Sequence, residues 1–224
     1  MIGNKSIPSV SVNYACNGSS TKANEMGMRV MQERTYEKRG EQYLLIKSPP
    51  ASGKSRALMF IALDKLHNQN IQKAIIVVPE RSIGASFIDE PLSKYGFWAD
   101  WIVPPQWNLC NAPGDDNGGK VNAVKSFLES EDRIIVCTHA TFRFAVDRFG
   151  VEAFDDCLIA VDEFHHVSAN PDNKLGAHLG TFIARNKVHI VAMTGSYFRG
   201  DAEAVLAHRM NRSLRQLPTP TTSN

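Results

Sequence analysis

Four side chains stand out by type and place. Lys54 and Ser55 follow Gly53 at the end of the run YLLIKSPPASGKS, residues 43–55, and Asp162 and Glu163 follow the apolar run CLIAV, residues 157–161. An ammonium and a hydroxyl behind a turn rich in small residues suit a phosphate chain. The turn's backbone N–H groups form a concave nest, and a helix starting there adds its dipole. Lys54 is placed to reach the β- and γ-phosphates of a nucleoside triphosphate, and Ser55 to put its hydroxyl on Mg²⁺. Gly53 lets the backbone approach a phosphate that a Cβ would hold away. Asp162, after a buried strand, is the kind of carboxylate that holds Mg²⁺. Glu163 beside it can take the proton of an attacking water. The full phosphate-loop pattern G-x-x-x-x-G-K-[ST] begins here on Ser48 instead of glycine, a departure that keeps a small residue in the turn.

These residues need a frame that brings them to one place. The runs at 43–48, 73–78, 133–137, 157–161 and 188–193 are apolar without alternation, which marks strands buried on both faces. Between them lie stretches that read as helices: 56–67, a helix starting at Ser82 and ending near Pro91, then 121–129, a helix closed by Gly150, 175–186 and 201–210. A further helix is expected over 25–38, a short strand over 101–103, and a long Pro/Asn/Asp/Gly loop over 104–120. Alternating buried strands and helices imply an α/β fold with a mostly parallel sheet covered on both sides. Ligands of such sheets sit at the carboxyl ends of the strands. Lys54, Arg81, Thr138, Asp162, Glu163 and Thr194 all fall at those ends.

Composition narrows the rest. A chain of 224 residues suits one α/β domain, and its 43% hydrophobic content supplies a core. A net charge of only +2 makes any nucleic-acid contact local, not global. No apolar run is long enough to span a membrane, and the start lacks a secretory pattern, so a cytoplasmic protein is expected. The four cysteines, Cys16, Cys110, Cys137 and Cys157, form no C-x-x-C pair. Cys137 and Cys157 lie in strand runs and read as core thiols in a reducing compartment. His165 and His166 sit in an E-x-H-H run, which does not place two histidines one turn apart as a zinc helix does. His165 reads instead as a hydrogen-bonding link to neighbouring loops. Gln32 can read one edge of adenine, and it can equally be a solvated helix glutamine.

With those residues in view, the chain resembles the first RecA-like lobe of a superfamily 2 helicase of the DEAD/DEAH type. SPPASGKS (48–55) resembles motif I, DEFH (162–165) motif II, VVPERSI (77–83) motif Ia and CTHATF (137–142) a later strand-end motif. MTGSYFR (193–199) resembles motif III as found in DNA translocases like the type III restriction subunits. Arg29 and Gln32 resemble the R-x-x-Q element that reads adenine ahead of motif I. The resemblance implies a P-loop three-layer sandwich over residues 25–212, between a flexible arm (1–24) and a loose tail (213–224). It implies ATP and Mg²⁺ as ligands, with Lys54, Asp162 and Glu163 catalytic and Ser55 and Asp162 on the metal. Gln32, Ser52, Gly53, Lys54, Ser55 and His165 would contact nucleotide. Arg81, Ser82, Thr138 and Thr141 would touch a nucleic-acid backbone, DNA before RNA. Thr194, Gly195 and Ser196 would couple the two sites. Glu80 where Thr is common, and Tyr197 where Pro is usual, depart from the family pattern.

The chain ends soon after motif III, so the family's second lobe, with its arginine finger, is expected from the same or another chain. Such a finger is worth about 10³–10⁵ in rate. The 224 residues alone are therefore expected to bind ATP, hydrolyse it slowly and not unwind duplex. Two other classes fit the phosphate loop: a small-molecule kinase, disfavoured by the acidic, Gly-rich stretch 104–120, and a nucleotide-binding module without turnover.

Overall fold

The computed structural model describes residues 23–48, 53–79, 86–110, 117–168 and 174–195. Ser52, Glu80, Arg81, Ser82, Ser196 and Tyr197 lie outside that set, as do residues 1–22 of the N-terminal arm, the expected helix at 201–210 and the C-terminal tail.

Five strands form one parallel sheet: β1 (Tyr43–Ser48), β2 (Lys73–Val78), β3 (Ile134–Thr138), β4 (Cys157–Val161) and β5 (His189–Gly195), in the order β1-β5-β4-β2-β3. Every pairing is parallel, as the unbroken apolar runs require. Successive residues of each strand feed opposite layers. Ala74, Ile76 and Val78 of β2 join a cluster with Leu58, Phe60 and Trp101. Ile75 and Val77 join Phe142, Phe154 and Phe182 on the other side. Helices α1 (Val30–Tyr36) and α2 (Lys54–Asn68) cover the first face, and α3 (Asn117–Glu129), α4 (His139–Phe149) and α6 (Lys174–Arg185) contribute to the second. A four-residue helix, α5 (His165–Ser168), follows β4. Each fully buried Leu or Phe contributes about 1.5–3 kcal/mol. The unbroken burial of residues 57–66 in α2 is therefore what seats the helix that carries Lys54. No helix among the described residues is long and apolar enough to cross a membrane.

Three expected elements differ. The helix expected over 25–38 begins only at Val30, because the Asn24 side chain accepts from the N–H groups of Met26 (3.0 Å) and Met28 (2.9 Å) and closes a turn first. Residues 101–103 are not a sheet strand. Trp101 makes a two-bond bridge to Glu90 and sends its indole N–H to the Phe87 carbonyl at 3.2 Å. α3 runs through Gly118 and Gly119, where a loop was expected, because Val121, Val124 and Phe127 are buried and their packing outweighs the weak propensity of glycine. The described end of the helix expected from Ser82, residues 86–91, is not α-helical.

At the amino ends of the strands the Lys65 ammonium is fully buried. It donates to the Glu41 carbonyl (2.9 Å), to Gln69 Oε1 (3.3 Å) and to His189 Nδ1 (2.7 Å). Burial lowers Lys65 to about 8; burial, and then the Lys65 charge, lower His189 to about 4. The imidazole is thus a neutral acceptor. Between pH 6.5 and about 4 the unfolded chain takes a proton on His189 that the folded chain refuses, so this stability is present above pH 6.5 and is lost on acidification. The urea midpoint of the wild type is expected to fall more between pH 7 and pH 5 than that of His189→Asn, which keeps an acceptor and does not titrate. Parallel curves would disprove this.

Candidate active site

The parallel register carries the strand ends to one edge. Lys47 pairs with Thr194 and Ser48 with Gly195. Val161, just before Asp162, pairs with Ala192 and with Val77. Val78 pairs with Thr138. β5 lies between β1 and β4, so Thr194 ends its strand between the phosphate loop and the acidic turn.

At the loop's end Gly53 caps α2 with φ 79°, in the left-handed region. A Cβ there would stand 2.7 Å from Gln32 Nε2. Gln32 is 2% exposed, and both ends of its amide are engaged: Oε1 accepts from the Arg29 N–H at 2.8 Å, and Nε2 donates to the Gly53 carbonyl at 3.1 Å. The solvated reading of this glutamine is therefore excluded. Gln32 ties α1 to the end of the phosphate loop at Gly53. Gly53→Ala combines a left-handed φ with that clash, costing about 1–2 kcal/mol. The melting temperature should drop by about 2–8 °C. An unchanged melting temperature would contradict it.

The Lys54 ammonium contacts the Glu163 carboxylate closely and lies 3.4 Å from Asp162 Oδ1. Burial by itself would lower Lys54, but the two carboxylates outweigh it and hold the ammonium protonated more firmly than usual. Asp162 is 1% exposed, and burial pushes its carboxyl up against the opposing pull of Lys54. The turn is locked from both sides: the Asp162 N–H donates to the Val77 carbonyl and the Phe164 N–H to the Met193 carbonyl, each at 2.8 Å. Phe164 is buried in the core. Between them Glu163 holds φ 49°, a left-handed conformation that costs a non-glycine residue about 1–3 kcal/mol. Its N–H donates to Asp162 Oδ1 at 2.9 Å. His165 Nδ1 lies 3.3 Å from Glu163 Oε2 and 3.3 Å from Thr194 Oγ1, the linking position expected of it.

The structure thus brings Lys54, Asp162, Glu163, His165 and Thr194 into one chain of contacts, with Gln32 and Gly53 beside it. Ser55 stands in the first turn of α2, and Gly195 closes β5 against Ser48. Thr138 and Thr141 sit further along the edge, where Thr138 Oγ1 caps α4 by accepting from the Thr141 N–H at 3.2 Å. Thr141 is itself buried. His139, which lies within CTHATF but was given no role of its own in the sequence reading, places Nε2 2.9 Å from the Asp162 carbonyl. The only signal for it was a histidine between two threonines at a strand end. Among the described residues no three His, Cys, Asp or Glu side chains converge into a metal cage. One buried carboxylate and one hydroxyl suit Mg²⁺, which keeps waters and binds through phosphate oxygens. A half-buried ammonium, two carboxylates and a glycine cradle can hold a phosphate chain, neutralise it and activate water against it.

A family model of the DEAD/DEAH box helicases matches residues 29–204. The chain belongs to this family. The chain is 55% identical over 197 residues to a Bacillus subtilis (strain 168) protein described as "Putative ATP-dependent helicase YeeB", covering 88% of this chain and 32% of that one. The chain therefore spans about a third of the curated relative it matches. The helicase domain of Hef from Pyrococcus furiosus superposes with a TM-score of 0.55 at 20% identity, covering 82% of this chain and 36% of that one. At that identity the likeness speaks for the fold alone: a RecA-like α/β fold.

Proposed function

We propose that this helicase domain, spanning residues 25–212, is the ATP-binding lobe of a nucleic-acid-dependent ATPase that works with Mg²⁺ and a second lobe. The observation that carries this reading is the Lys54–Glu163–Asp162 cluster at the carboxyl edge of the sheet, behind a glycine that Gln32 grips. In it Lys54 leaves the carboxylates for the β- and γ-phosphates, and Gln32 with Arg29 faces the adenine. Ser52 and Gly53 lend backbone N–H groups. Ser55 and Asp162 hold Mg²⁺, which would neutralise charge building on the phosphates. Glu163 orients water and accepts its proton, while His165 and Thr194, with Gly195 and Ser196, relay the state of the site to the edge beyond. Arg81, Ser82 and Thr138 meet the nucleic-acid backbone, and Thr141 contributes through the cap it shares with Thr138. DNA is favoured over RNA on the resemblance of MTGSYFR to motif III of DNA translocases. The second lobe is supported by the relative of about three times this length, whose printed name is that of an ATP-dependent helicase.

The test is ATP hydrolysis by the chain alone and by a longer protein supplying the second lobe, each with single- and double-stranded DNA and RNA. Slow turnover alone, and strong stimulation by DNA once the second lobe is present, are expected. No stimulation by any nucleic acid with the second lobe present overturns the proposal.

A further inference from the structure

His139 is the first residue of α4, directly after Thr138, and it is half-buried. Its Nε2 lies 2.9 Å from the Asp162 carbonyl oxygen. A carbonyl can only accept, so the ring nitrogen carries the hydrogen. The peptide plane it grips is the one joining Asp162 to Glu163. The other end of that plane, the Glu163 N–H, is held by Asp162 Oδ1 at 2.9 Å. Rotation of this plane moves Glu163 directly, because it turns about the Asp162 Cα–C and Glu163 N–Cα bonds and so changes φ of Glu163. Glu163 also sits in a left-handed conformation that its surroundings must maintain. One clamp on the plane is intrinsic to the acidic turn. The other comes from 23 residues upstream, on the element that ends β3.

We propose that His139 is a positioning residue for Glu163, transmitting the placement of the β3–α4 junction to the carboxylate that orients the attacking water. This rests on the reading above, in which that junction meets nucleic acid. Nucleic acid seated at Thr138 fixes the start of α4, and His139 then holds the Asp162–Glu163 plane in the orientation that serves hydrolysis. The coupling runs through one hydrogen bond between two loops that are remote in sequence. It differs from the His165–Thr194 contact, which reaches the Glu163 carboxylate and not the backbone of the turn.

The experiment compares His139→Leu, which removes the donor, with His139→Gln, whose amide reaches the place of Nε2, in the protein that includes the second lobe. His139→Leu is expected to lose about tenfold in nucleic-acid-stimulated kcat, the scale of one buried hydrogen bond. Its Kd for ATP and for nucleic acid should stay within about twofold of wild type on that same scale. His139→Gln is expected to recover most of the rate. Full stimulation in His139→Leu, a parallel loss of nucleic-acid affinity, or equal behaviour of Leu and Gln overturns the proposal. If the Leu variant does not fold, His139→Asn replaces it, because its amide reaches only the place of Nδ1 and falls short of the carbonyl. A wild type that no nucleic acid stimulates defeats the functional reading instead. Amide exchange at Glu163 and Phe164, measured without nucleic acid, then decides the positioning role: faster in Leu or Asn and unchanged in Gln supports it, while equal exchange in all variants refutes it.

Discussion

Under the proposed function, replacing Glu163 by Gln is expected to leave ATP binding as tight as in the wild type, or tighter, and to lower turnover by about 10²–10⁴-fold, the usual worth of a general base. The two halves of this result have separate causes. Glu163 is placed where it can take a proton, and Gln cannot. Glu163 also occupies Lys54, the cation that an incoming phosphate needs. Nucleotide must part that pair and must bring its own negative charge up to the carboxylate. Gln removes the repulsion and frees Lys54, so affinity does not fall. The shape of the turn survives, because the left-handed Glu163 is held by backbone bonds at Asp162 and Phe164, not by its own carboxylate. Titration calorimetry with ATP and single-turnover hydrolysis, with nucleic acid and the second lobe supplied, separate the effects. Turnover within a few-fold of wild type would remove Glu163 from the chemistry.

Replacing Lys54 by Met is expected to produce the opposite pattern. ATP affinity falls by about 10²-fold, as expected when a charge-assisted contact to phosphate is lost, and turnover falls with it. The unliganded protein also changes. Asp162 is nearly fully buried, and Lys54 is the cation opposing its raised pKa. Without it the Asp162 carboxyl rises further. A carboxyl whose folded pKa is raised contributes stability at acid pH that is lost as pH rises through that pKa. Lys54→Met should therefore lose more stability than wild type as pH rises from the ordinary carboxyl range, between pH 4 and pH 8. Chemical denaturation at the two pH values measures this, and an unchanged pH slope would mean that the Lys54–Asp162 contact carries no weight in the free protein. Lys54→Arg is expected to behave nearer to Met than to wild type, since a planar guanidinium does not fit the place of a compact ammonium.

Much of this site could be read without coordinates, and the reason is local. Whether a run such as KAIIVV is buried on both faces depends on its own side chains, so the strands and the parallel class followed from composition and order. Lys54 and Ser55 stand at a strand–turn–helix junction defined within 13 residues, and Asp162 and Glu163 at the end of one apolar run. Their types and neighbours already point to phosphate, metal and water.

What pairs with what across the chain was not local, and only the tertiary structure decided it. That β5, the last strand, lies between β1 and β4 is a matter of packing and register, and it is this insertion that brings Thr194 beside His165 and Glu163. The grip of Gln32 on Gly53 spans 21 residues, and the contact of Lys54 with Glu163 spans 109. The left-handed Glu163 could not be foreseen, because no sequence rule favours glutamate there; bonds to β2 and β5 on either side impose it. Local side-chain chemistry determined which groups could act, and burial against distant strands determined which of them meet.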